Sequence, residues 1–450
     1  MENIEQIIKQ QHDFFKTLKT HEYAFRIKQL TLLYQKIKYY QEEIEEALYY
    51  DLKKTNFEAY STEIGYVLSS IKNAKKHLKK WMKPKTKLAP YYLFGSYDKI
   101  FYRPLGVSLI IGPFNYPFQL IFEPLIGAIA AGNCVIIKPS ENAAATSRII
   151  NKIIKETFEA KYVCCILGGV SITHQLTHSQ VDHIFFTGSI EVGKKIMATA
   201  SEQLIPITLE LGGKSPVIVD QSAKLKDAVE KIAWGKILNA GQTCVAPDYL
   251  IIKEELKDEF IELWKKTVNT FLSGDDYGKI INERHFERLI KMFEGEEIYV
   301  GGNYNVNDLW IEPTLVNGNK SNFMNEEIFG PILPIITYKD QKEIEILVEK
   351  HPFPLALYIF SNDKQFINYL TKRLSFGGAC INDCITHLIS PKVPFGGVRY
   401  SGVGQYHGKD SFMTFSHKQT IHHRFIKKDF ISLYPPYSKR LYKLVTKILK

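Results

Sequence analysis

From Val107 onward, short apolar runs alternate with helical stretches, and this alternation limits the possible folds more than any other feature. The runs VSLIIGPF, NCVIIKPS, YVCCILGG and HIFFTGS all end in Gly, Pro or Ser turns, and a helical stretch such as that from Ser147 to Phe158 separates two of them. Strands that alternate with helices form mostly parallel sheets, which bind ligands at the carboxyl ends of their strands. The sequence therefore predicts an α/β protein.

The segments around this region differ in their pattern. Up to about Lys83, apolar residues repeat at helical spacing, which predicts amphipathic helices. In residues 84–103, prolines flank aromatic, roughly alternating residues, which predicts an extended hairpin. A second α/β region runs from about Gly212 to Phe412, with the strands DYLIIK, EEIYVGG, PILPIITY and LALYIF. A chain of 450 residues is long enough for two or three such domains.

Composition and charge exclude several classes of protein. The residues from Arg424 to Lys450 include eight basic side chains and one acidic side chain, so this tail carries +7 of the net charge of +10. The body is therefore nearly neutral, which argues against a nucleic-acid surface. The six cysteines lack the spacing of a disulfide framework or of a zinc site, so no metal is expected. No apolar window reaches the roughly 18 residues that a membrane span requires.

Cys244 is the candidate nucleophile. It lies in GQTCVAPDY, among small and turn-forming residues, directly after the helical stretch KIAWGKILNA. At a loop or helix start, backbone N–H groups favour the thiolate form of a cysteine. A cysteine considered alone is more often structural, so the interpretation depends on the other groups that the sequence supplies.

Two further segments supply those groups. Glu210 in LELGGKSP ends an apolar stretch before a double glycine. A carboxylate there is either a buried general base with a raised pKa or a strand-end partner in a salt bridge. Asn115 in PFNYPFQ lies between Pro113 and Pro117, on a rigid turn after a strand. Its amide suits an oxyanion hole, although it could instead cap the following helix.

A third group of segments suggests a dinucleotide site. HIFFTGSIEVG places Gly188 and Gly193 on a strand-to-helix turn, where a dinucleotide can approach the backbone and the helix N-terminus favours pyrophosphate. The spacing differs from G-x-G-x-x-G, so this signal is weak by itself. Four more candidates lie in CVIIKPSE and NEEIFGPILP: Lys138, Glu141, Glu327 and Phe329.

In this order, the motifs PFNYPF, LELGGK, GQTCVAP and EEIFGP resemble the aldehyde dehydrogenase superfamily over essentially the whole chain. The run PFGGVRYSGVGQYHGKDSFMTFSHK resembles the class 3 branch of fatty and aromatic aldehyde dehydrogenases. The resemblance implies a Rossmann-like NAD-binding domain, a second α/β catalytic domain and a small β bridging element for oligomerisation. The corresponding ranges are 1–84 with 105–211, then 212–412, then 85–104 with 413–430, and a basic tail at 431–450.

The resemblance also implies a mechanism. Cys244 attacks the aldehyde carbon to give a thiohemiacetal, whose oxyanion is held by the Asn115 side chain and the Cys244 N–H. Hydride transfer to the nicotinamide leaves a thioester, and Glu210 activates the water that hydrolyses it to the acid. Glu327 is expected to hold the nicotinamide ribose, with Phe329 beside the ring. The other implied cofactor contacts are Lys138 and Glu141 at the adenosine ribose and Ser189 at the pyrophosphate.

Glu141 and Glu210 predict the preferred cofactor and the fate of the acyl group. A carboxylate near the ribose 2′ position repels a 2′-phosphate, so Glu141 predicts a preference for NAD, with NADP also accepted as in class 3 relatives. Glu210 favours hydrolysis over transfer of the acyl group to CoA, because CoA-acylating relatives typically lack this residue. Since the thiol, the glutamate and the cofactor contacts are all present, a catalytically silent relative that acts as a binding protein is the less favoured alternative.

The expected substrate pocket rests on the resemblance alone. It comprises Tyr66, Tyr116, Asn382, His387 and Phe412, each of which could instead be an ordinary packing residue. An aromatic, apolar lining suits medium-to-long aliphatic, lipid-derived or aromatic aldehydes. Arg399 and Tyr400 depart from the family, which usually has a glycine after the valine of FGGV, and this departure affects the expected shape of the pocket.

The ends of the chain suggest its location and partners. The N-terminus mixes acidic and basic residues and lacks the layout of a signal peptide, so a cytoplasmic protein is expected. Lys439, Lys443 and Lys447 recur every four residues on a short amphipathic helix, which could touch an anionic membrane surface or pack on its own domain. Strand edges in the bridging element are usually covered by a partner subunit, so a homodimer is expected.

Overall fold

Residues 4–82 form mainly helices, as their apolar spacing predicts. The computed structural model describes residues 4–319, 321–426 and 434–449. The N-terminal helices are α1 (Ile4–Lys16), α2 (Tyr23–Tyr39), α3 (Gln41–Leu52), α4 (Asn56–Ala59) and α5 (Gly65–Met82). A single π-helical turn, Tyr60–Ile64, joins α4 to α5. Isolated π-helical turns are often found at functional sites.

The first large sheet contains the strands predicted from Val107 onward. Its members are β3 (Val107–Ile111), β4 (Cys134–Lys138), β5 (Val163–Cys165), β6 (His183–Gly188), β7 (Ile207–Leu211) and β17 (Gly402–Val403). Their spatial order is β5-β4-β3-β6-β7-β17, with the first five parallel and β17 antiparallel to β7. The chain order reverses between β3 and β6, which is the switch point where such sheets bind ligands.

Helices cover both faces of this sheet, which explains the unbroken apolar runs of its strands. All residues of β3 and β4 are buried. Every residue of α6 is buried as well, because this helix is packed between β3 on one side and α5 and α15 on the other. The helices that follow strands or pack on this sheet are α6 (Gln119–Ala131), α7 (Ala144–Thr157), α8 (Val170–Thr177), α9 (Ile190–Glu202) and α15 (Gly408–Thr414).

The second large sheet contains the remaining predicted strands. Its members in spatial order are β10 (Ile298–Val300), β13 (Thr314–Asn317), β14 (Ile332–Tyr338), β9 (Tyr249–Lys253), β8 (Pro216–Val219), β15 (Ala356–Phe360) and β16 (Gly378–Ile381). All neighbours are parallel except β10 and β13. A small ribbon pairs β11 (Tyr304–Asn305) with β12 (Trp310–Ile311). The helices of this region are α10 (Leu225–Ile237), α11 (Lys257–Phe271), α12 (Glu283–Met292), α13 (Gln341–Glu349) and α14 (Lys364–Arg373).

The hairpin predicted after α5 is present and belongs to a separate three-stranded antiparallel sheet. Its strands are β1 (Lys85–Leu88), β2 (Ser96–Pro104) and β18 (Ser416–Arg424), with β2 in the centre. The predicted basic tail helix is also present, as α16 (Lys439–Ile448). The Tyr91 hydroxyl donates a hydrogen bond to the Ile448 carbonyl oxygen at 2.6 Å, so the tail contacts the hairpin.

The segment around the predicted end of the catalytic domain at residue 412 packs on the first sheet rather than on the second. β17 precedes this residue, and α15 contains it. Gly402 pairs with Glu210, and α15 lies so close to α6 that a Cβ on Gly127 would lie 2.6 Å from Ser411 Cβ. The physical reason is that β7 would otherwise be an exposed edge strand, and the returning chain covers it.

No helix within the described ranges is long and apolar enough to cross a membrane. Among the same residues, no cluster of three or more His, Cys, Asp or Glu side chains has a geometry that could hold a metal ion.

Candidate active site

The loop before Cys244 has an unusual backbone. Asn239, Ala240 and Gly241 follow one another with φ of 52°, 51° and 71°, in the left-handed region that costs a residue with a side chain about 1–2 kcal/mol. Only glycine fits at residue 241, because a Cβ there would lie 2.3 Å from the Gly330 carbonyl oxygen. Strain of this kind persists only where the surroundings hold the backbone, and it concentrates at functional sites.

Hydrogen bonds from distant segments hold this loop. The Asn239 N–H donates to the buried Glu58 carboxylate at 3.0 Å. The Gln242 side chain donates to the Lys279 carbonyl oxygen at 2.9 Å and accepts from the Ile281 N–H at 3.0 Å. Beyond the nucleophile, the Tyr358 hydroxyl donates to the Val245 carbonyl oxygen at 2.5 Å. The Cys244 backbone is therefore fixed on both sides.

The Cys244 thiol lies close to two carboxyl groups. Burial, together with the nearby Glu327 and Glu210, raises the pKa of the Cys244 thiol to about 12. The backbone N–H groups of Cys244 and Val245 act in the opposite direction, as the sequence predicts, but they do not outweigh burial. The expectation of a favoured thiolate is therefore corrected: at neutral pH the thiol keeps its proton.

Glu210 is buried near the end of β7. Its side chain is 3% exposed, and neither carboxylate oxygen has a hydrogen-bond partner among the described residues. Burial raises the pKa of Glu210 well above its ordinary value. Of the two interpretations of this residue, the salt bridge is absent from the described part of the chain, whereas the buried, perturbed carboxyl group is present. Such a group is suited to general acid–base catalysis.

Asn115 is buried on the turn between β3 and α6. Its side-chain amide donates to the Gln242 carbonyl oxygen at 2.9 Å, two residues before Cys244. An amide nitrogen carries two hydrogens, so a second donor remains for a substrate oxygen. Asn115 does not cap α6, because the N–H groups of Phe118 and Gln119 donate to Glu63 instead, at 2.9 and 3.1 Å.

The residues predicted to bind the adenosine and pyrophosphate lie at the carboxyl ends of β4 and β6. Lys138 is buried and forms a 2.5 Å ion pair with Glu141, which is partly exposed. Ser189 is exposed at the start of α9, where its hydroxyl caps the helix by accepting from the Val192 N–H at 3.4 Å. Gly193 lets α9 approach the sheet, because a Cβ there would lie 2.6 Å from the Leu211 side chain. Gly188 lies similarly close to the ring of Phe186.

Glu327 and Phe329 lie on the loop after the short turn at 322–324. A Cβ on Gly212 would lie 2.0 Å from Glu327 Oε2, so the glycine makes room for this carboxylate. Burial raises the pKa of Glu327 to about 8, with Asp248 acting in the same direction. Phe329 has a left-handed backbone with φ of 52°, and its ring meets the ring of Phe114 edge-on at 5.7 Å.

A buried ion pair, which the sequence analysis missed, fixes this loop. Lys214 and Asp248 lie 2.5 Å apart and both are almost fully buried. Asp248 also accepts from the Ile328 N–H at 3.0 Å, and Lys214 donates to the Glu326 carbonyl oxygen at 2.8 Å. Lys214 and Asp248 belong to the motifs LELGGKSP and GQTCVAPDY. Their position inside these two motifs was the only feature of the sequence that could have indicated a role in the site.

The arrangement fits a nicotinamide dinucleotide. The start of α9, a helix of 13 residues, lies at the switch point beside the end of β6, and free N–H groups at such a terminus favour a pyrophosphate. Lys138 and Glu141 lie at the end of the adjoining strand β4. Glu327 is close enough to Cys244 to raise the pKa of its thiol, as expected of a group between nicotinamide ribose and nucleophile.

Three of the five predicted pocket residues lie in one aromatic region near Cys244. The Tyr116 hydroxyl is 2.8 Å from the hydroxyl of Thr243. The Tyr66 hydroxyl donates to the Leu388 carbonyl oxygen at 3.3 Å and lies 3.4 Å from His407 Nδ1. The His387 ring lies 6.0 Å from the rings of both Tyr358 and Phe395. Sequence analysis missed His407, Tyr358 and Phe395 in this region. Their aromatic character was the only feature that could have indicated a place in the pocket.

Two predicted pocket residues have other roles. Phe412 is 0% exposed and packs in the core between Trp81 and Tyr102, at 6.0 and 5.8 Å between ring centres. The ring of Phe412 thus has packing contacts in the core, and its place in the pocket stays a prediction. The Asn382 side chain exchanges two hydrogen bonds of 2.9 Å with the backbone of Ser361, so its amide is occupied in joining two strand ends.

Arg399 and Tyr400 form a surface turn that leads into β17. Arg399 has a left-handed backbone with φ of 54°, where the family's glycine is unstrained. Its guanidinium lies 4.8 Å from the ring centre of Phe353 and 5.6 Å from that of Tyr400. The departure from the family pattern therefore lies in a surface cluster of Arg399, Tyr400 and Phe353.

Comparison with known proteins agrees with this geometry. A family model described as "Aldehyde dehydrogenase family" matches residues 1–421. The chain is 49% identical over 429 residues to 4,4'-diaponeurosporen-aldehyde dehydrogenase of Staphylococcus aureus, covering 93% of this chain and 94% of that protein. It is 40% identical to the dimeric NADP-preferring aldehyde dehydrogenase of Mus musculus, covering 97% and 98%.

Solved structures match equally well. The substrate-bound state of Staphylococcus aureus AldH superposes with a TM-score of 0.97 at 47% identity, over 100% of both chains. Betaine aldehyde dehydrogenase from Staphylococcus aureus in complex with NAD+ superposes with a TM-score of 0.85 at 26% identity, over 97% of this chain and 89% of that one. The predicted α/β fold with a Rossmann-like domain is thus confirmed. This chain belongs to the aldehyde dehydrogenase family.

Proposed function

We propose that this NAD(P)-dependent aldehyde dehydrogenase oxidises apolar long-chain or aromatic aldehydes to carboxylic acids through an acyl intermediate on Cys244. The single observation that supports the hydrolytic mechanism is the carboxyl group of Glu210, which is buried near the Cys244 thiol and has no hydrogen-bond partner among the described residues. A buried carboxyl group without a partner is costly, so its retention at this position is best explained by a proton-transfer role.

Attack by Cys244 begins the reaction. The Sγ atom bonds to the aldehyde carbon, and the carbonyl oxygen becomes an oxyanion that the Asn115 amide and the Cys244 N–H stabilise. Because the pKa of the free thiol is about 12, its proton has to leave as the bond forms. The ionised forms of Glu210 and Glu327, the two carboxyl groups that raise the pKa of the thiol, are the available acceptors.

Hydrolysis completes the reaction. Lys138, Glu141, Ser189 and Glu327 would hold NAD or NADP, which when bound accepts the hydride from the aldehyde carbon. Glu210 then takes a proton from a water molecule, whose oxygen bonds to the acyl carbon while the bond to Cys244 Sγ breaks. Asn115 holds the oxyanion again in this step. The carboxylic acid leaves, and the thiol regains a proton.

The charge of the pocket supports an apolar substrate. Burial lowers the pKa of His387 to about 4 and that of His407 to about 3, so both rings are neutral at physiological pH. Tyr66 and Tyr116 add aromatic surface without charge. These four side chains supply no cation to bind a carboxylate-bearing semialdehyde, and their aromatic surface favours extended apolar chains or aromatic rings.

The test follows NADH formation with a panel of aldehydes from short to long chain, benzaldehyde, and 4,4'-diaponeurosporen-aldehyde, the compound in the relative's name. We expect efficiency to rise with chain length, and the Cys244→Ala variant to be inactive. A matched Cys165→Ala variant, at the far edge of the first sheet, retains activity. Absence of turnover with every aldehyde overturns the proposal and favours a catalytically silent relative.

Glu210→Gln tests the hydrolytic role separately. The variant is expected to accumulate acyl-enzyme, detected as a mass increase on Cys244 by mass spectrometry of the intact protein. Addition of CoA to the wild-type enzyme distinguishes the alternative of acyl transfer. If CoA accelerates turnover and acyl-CoA is formed, the hydrolytic proposal fails.

We also propose a cytoplasmic homodimer. The outer strands β1 and β18 of the three-stranded sheet leave edges that a second subunit can cover, and the exposed side chains of Leu88, Tyr91 and Phe94 lie on the same hairpin. One relative is named as dimeric. Light scattering on the eluting protein is expected to give twice the monomer mass, whereas a monomer at micromolar concentration contradicts the proposal.

The tail helix α16 is proposed to contact anionic membranes. Its lysines 443 and 447 are exposed, and Leu444 and Leu449 are exposed beside them. Sedimentation with vesicles that contain an anionic lipid, at low salt, is the test. Lys443→Glu with Lys447→Glu should abolish binding, whereas Lys265→Glu with Lys266→Glu on α11 should not. If the wild-type protein stays in the supernatant, the helix instead packs on its own domain.

A further inference from the structure

We infer that Lys54 and Glu63 form a positioning device for the oxyanion site, acting on Asn115 from outside the catalytic motifs. The two side chains are 0% exposed, and the Lys54 ammonium lies 2.5 Å from Glu63 Oε1. The inference rests on the proposed role of Asn115. Neither residue touches the substrate in this account, because both act through the turn that carries Asn115.

The ion pair holds both ends of that turn. Lys54 Nζ donates to the Asn115 carbonyl oxygen at 2.9 Å. The second oxygen of Glu63 accepts from the N–H groups of Phe118 and Gln119, at 2.9 and 3.1 Å, where α6 begins. The pair therefore spans the turn from residue 115 to residue 119. It also replaces the helix cap that Asn115 would otherwise have supplied, which leaves the Asn115 amide free to serve the site.

Lys54 also contacts the wall of the pocket. Its ammonium lies 3.8 Å from the ring centre of Tyr116, a distance at which the cation and the ring attract each other. The hydroxyl of the same tyrosine is 2.8 Å from the hydroxyl of Thr243, the neighbour of the nucleophile. The ion pair thus contacts Asn115 directly, and it is linked to Thr243 through Tyr116.

Stability alone does not explain a buried ion pair. Removing two charges from water costs more than their attraction commonly returns, and well-packed apolar residues are often as stable or more so. The π-helical turn Tyr60–Ile64 that carries Glu63 is an additional distortion in the helical segment between α4 and α5. A requirement for exact placement of Asn115 accounts for both features.

The first experiment replaces both members of the pair. Lys54→Met with Glu63→Gln removes both charges while keeping approximate shape, so no unpaired charge is left in the interior. We expect kcat to fall by about tenfold to hundredfold, because a displaced donor loses part of the 10²–10³-fold that a missing one costs. The KM for NAD should stay unchanged. Lys152→Met with Glu43→Gln, which removes an exposed ion pair, is the matched control and should retain activity.

A double-mutant cycle with Asn115→Ala separates positioning from general stability. If the pair acts through Asn115, its replacement should cause little further loss of kcat once the Asn115 amide is absent. A loss by the same factor in both backgrounds overturns the inference. Should the double replacement fail to fold, Glu63→Asp is the second variant, since it keeps the charge but shortens the reach by one methylene, and the same cycle applies.

A crystal structure of the double replacement gives a readout without turnover. The hydrogen bond between Asn115 Nδ2 and the Gln242 carbonyl oxygen is 2.9 Å long in the wild-type protein. We expect the amide to move by more than about 0.5 Å, the tolerance of a catalytic group. An unmoved amide overturns the inference even if the wild-type enzyme oxidises aldehydes. Conversely, a wild-type protein that oxidises no aldehyde defeats the proposed function. In that case the displacement of the Asn115 amide in the crystal structure still tests the positioning role of the ion pair.

Discussion

The side-chain amide of Asn115 donates a 2.9 Å hydrogen bond to the carbonyl oxygen of Gln242, and this contact ties the turn after β3 to the loop that carries Cys244. A second contact runs beside it, because the Asn239 side chain donates to the Asn115 carbonyl oxygen at 2.8 Å. The segments that carry Asn115 and Cys244 are thus held together by direct contacts, although residues 115 and 244 are 129 positions apart in the sequence.

Asn115→Ala is expected to reduce kcat by roughly 10²–10³-fold, the usual cost of removing one oxyanion donor. Steady-state kinetics with a good aldehyde substrate measure this loss. Binding of NAD, followed by quenching of protein fluorescence, should be unaffected because Asn115 does not belong to the proposed cofactor contacts. A difference of about threefold is close to the error of such comparisons. A kcat within that range of the wild-type value would show that Asn115 has no role in the mechanism.

Glu327→Gln is expected to lower the pKa of the Cys244 thiol. Glu327 is the largest electrostatic contribution that raises this pKa after burial, and its own pKa is about 8. Above pH 8 the wild-type carboxylate is charged and opposes thiolate formation, whereas the glutamine is neutral. The rate of Cys244 alkylation by iodoacetamide between pH 8 and 10 should therefore be higher in the variant. Glu326→Gln, at the neighbouring exposed position, is the control.

Two substitutions in the strained loop should have opposite effects on stability. Gly241→Ala places a Cβ 2.3 Å from the Gly330 carbonyl oxygen at φ of 71°, so we expect a loss of about 2 kcal/mol or more and a damaged site. Ala240→Gly relieves a left-handed alanine at φ of 51° and should be neutral or stabilising by up to about 1 kcal/mol. Thermal unfolding compares the two. A lower Tm for Ala240→Gly than for Gly241→Ala would contradict the assigned backbone.

Lys236→Met should stabilise the enzyme at neutral pH more than at alkaline pH. Lys236 is 0% exposed, its ammonium has no hydrogen-bond partner among the described residues, and burial lowers its pKa from 10.5 to about 8. Below pH 8 the folded state carries a buried charge that costs about 3 kcal/mol at roughly 1.4 kcal/mol per pKa unit. This cost declines as pH rises from 8 to 10.5, because the folded state releases its proton first.

The measurement for Lys236→Met is Tm as a function of pH. A gain in Tm at pH 7 that shrinks by pH 10 is the expected result. An equal gain at both values would mean that packing, rather than charge, explains the effect. A loss of Tm at pH 7 would mean that the ammonium is paired in solution.

Glu141→Gln should shift the enzyme toward NADP. Glu141 lies 2.5 Å from Lys138, so the wild-type lysine is neutralised by a carboxylate that also repels a 2′-phosphate. Removing that charge frees the Lys138 ammonium for the phosphate. We expect kcat/KM for NADP to rise relative to NAD, and equal ratios in variant and wild type would show that Glu141 does not set the preference. Glu159→Gln, an exposed ion-pair partner on another segment, is the control.

The parts of this protein that sequence predicts well are those encoded locally. Apolar runs that end at turns identify the strands, and Cys244, Glu210 and Asn115 each lie in a short motif beside such a run. Contacts between distant segments leave no periodic signal. Lys54 meets Asn115 across 61 positions and Glu58 meets Asn239 across 181, so no pattern indicated them. Their assignment needed coordinates.

Two placements depend on contacts that the sequence does not display. Phe412 is assigned to the pocket by resemblance alone, and in the structure its ring packs against Trp81. The segment before residue 412 joins the first sheet because Gly402 pairs with Glu210 across almost two hundred positions. Strand pairing at such separation depends on which edge is left open, and this is a property of the assembled sheet.

The pairing of β7 with β17 also has a consequence for biosynthesis. Glu210 lies on β7, and the strand that covers its edge is made only when translation reaches residues 402 and 403. Until then, the nascent chain on the ribosome presents an apolar edge strand that carries the proposed catalytic base. Exposed edges of this kind associate with one another or with chaperones. A ribosome that stalls before residue 402 should therefore leave a chain that aggregates rather than a partly active enzyme.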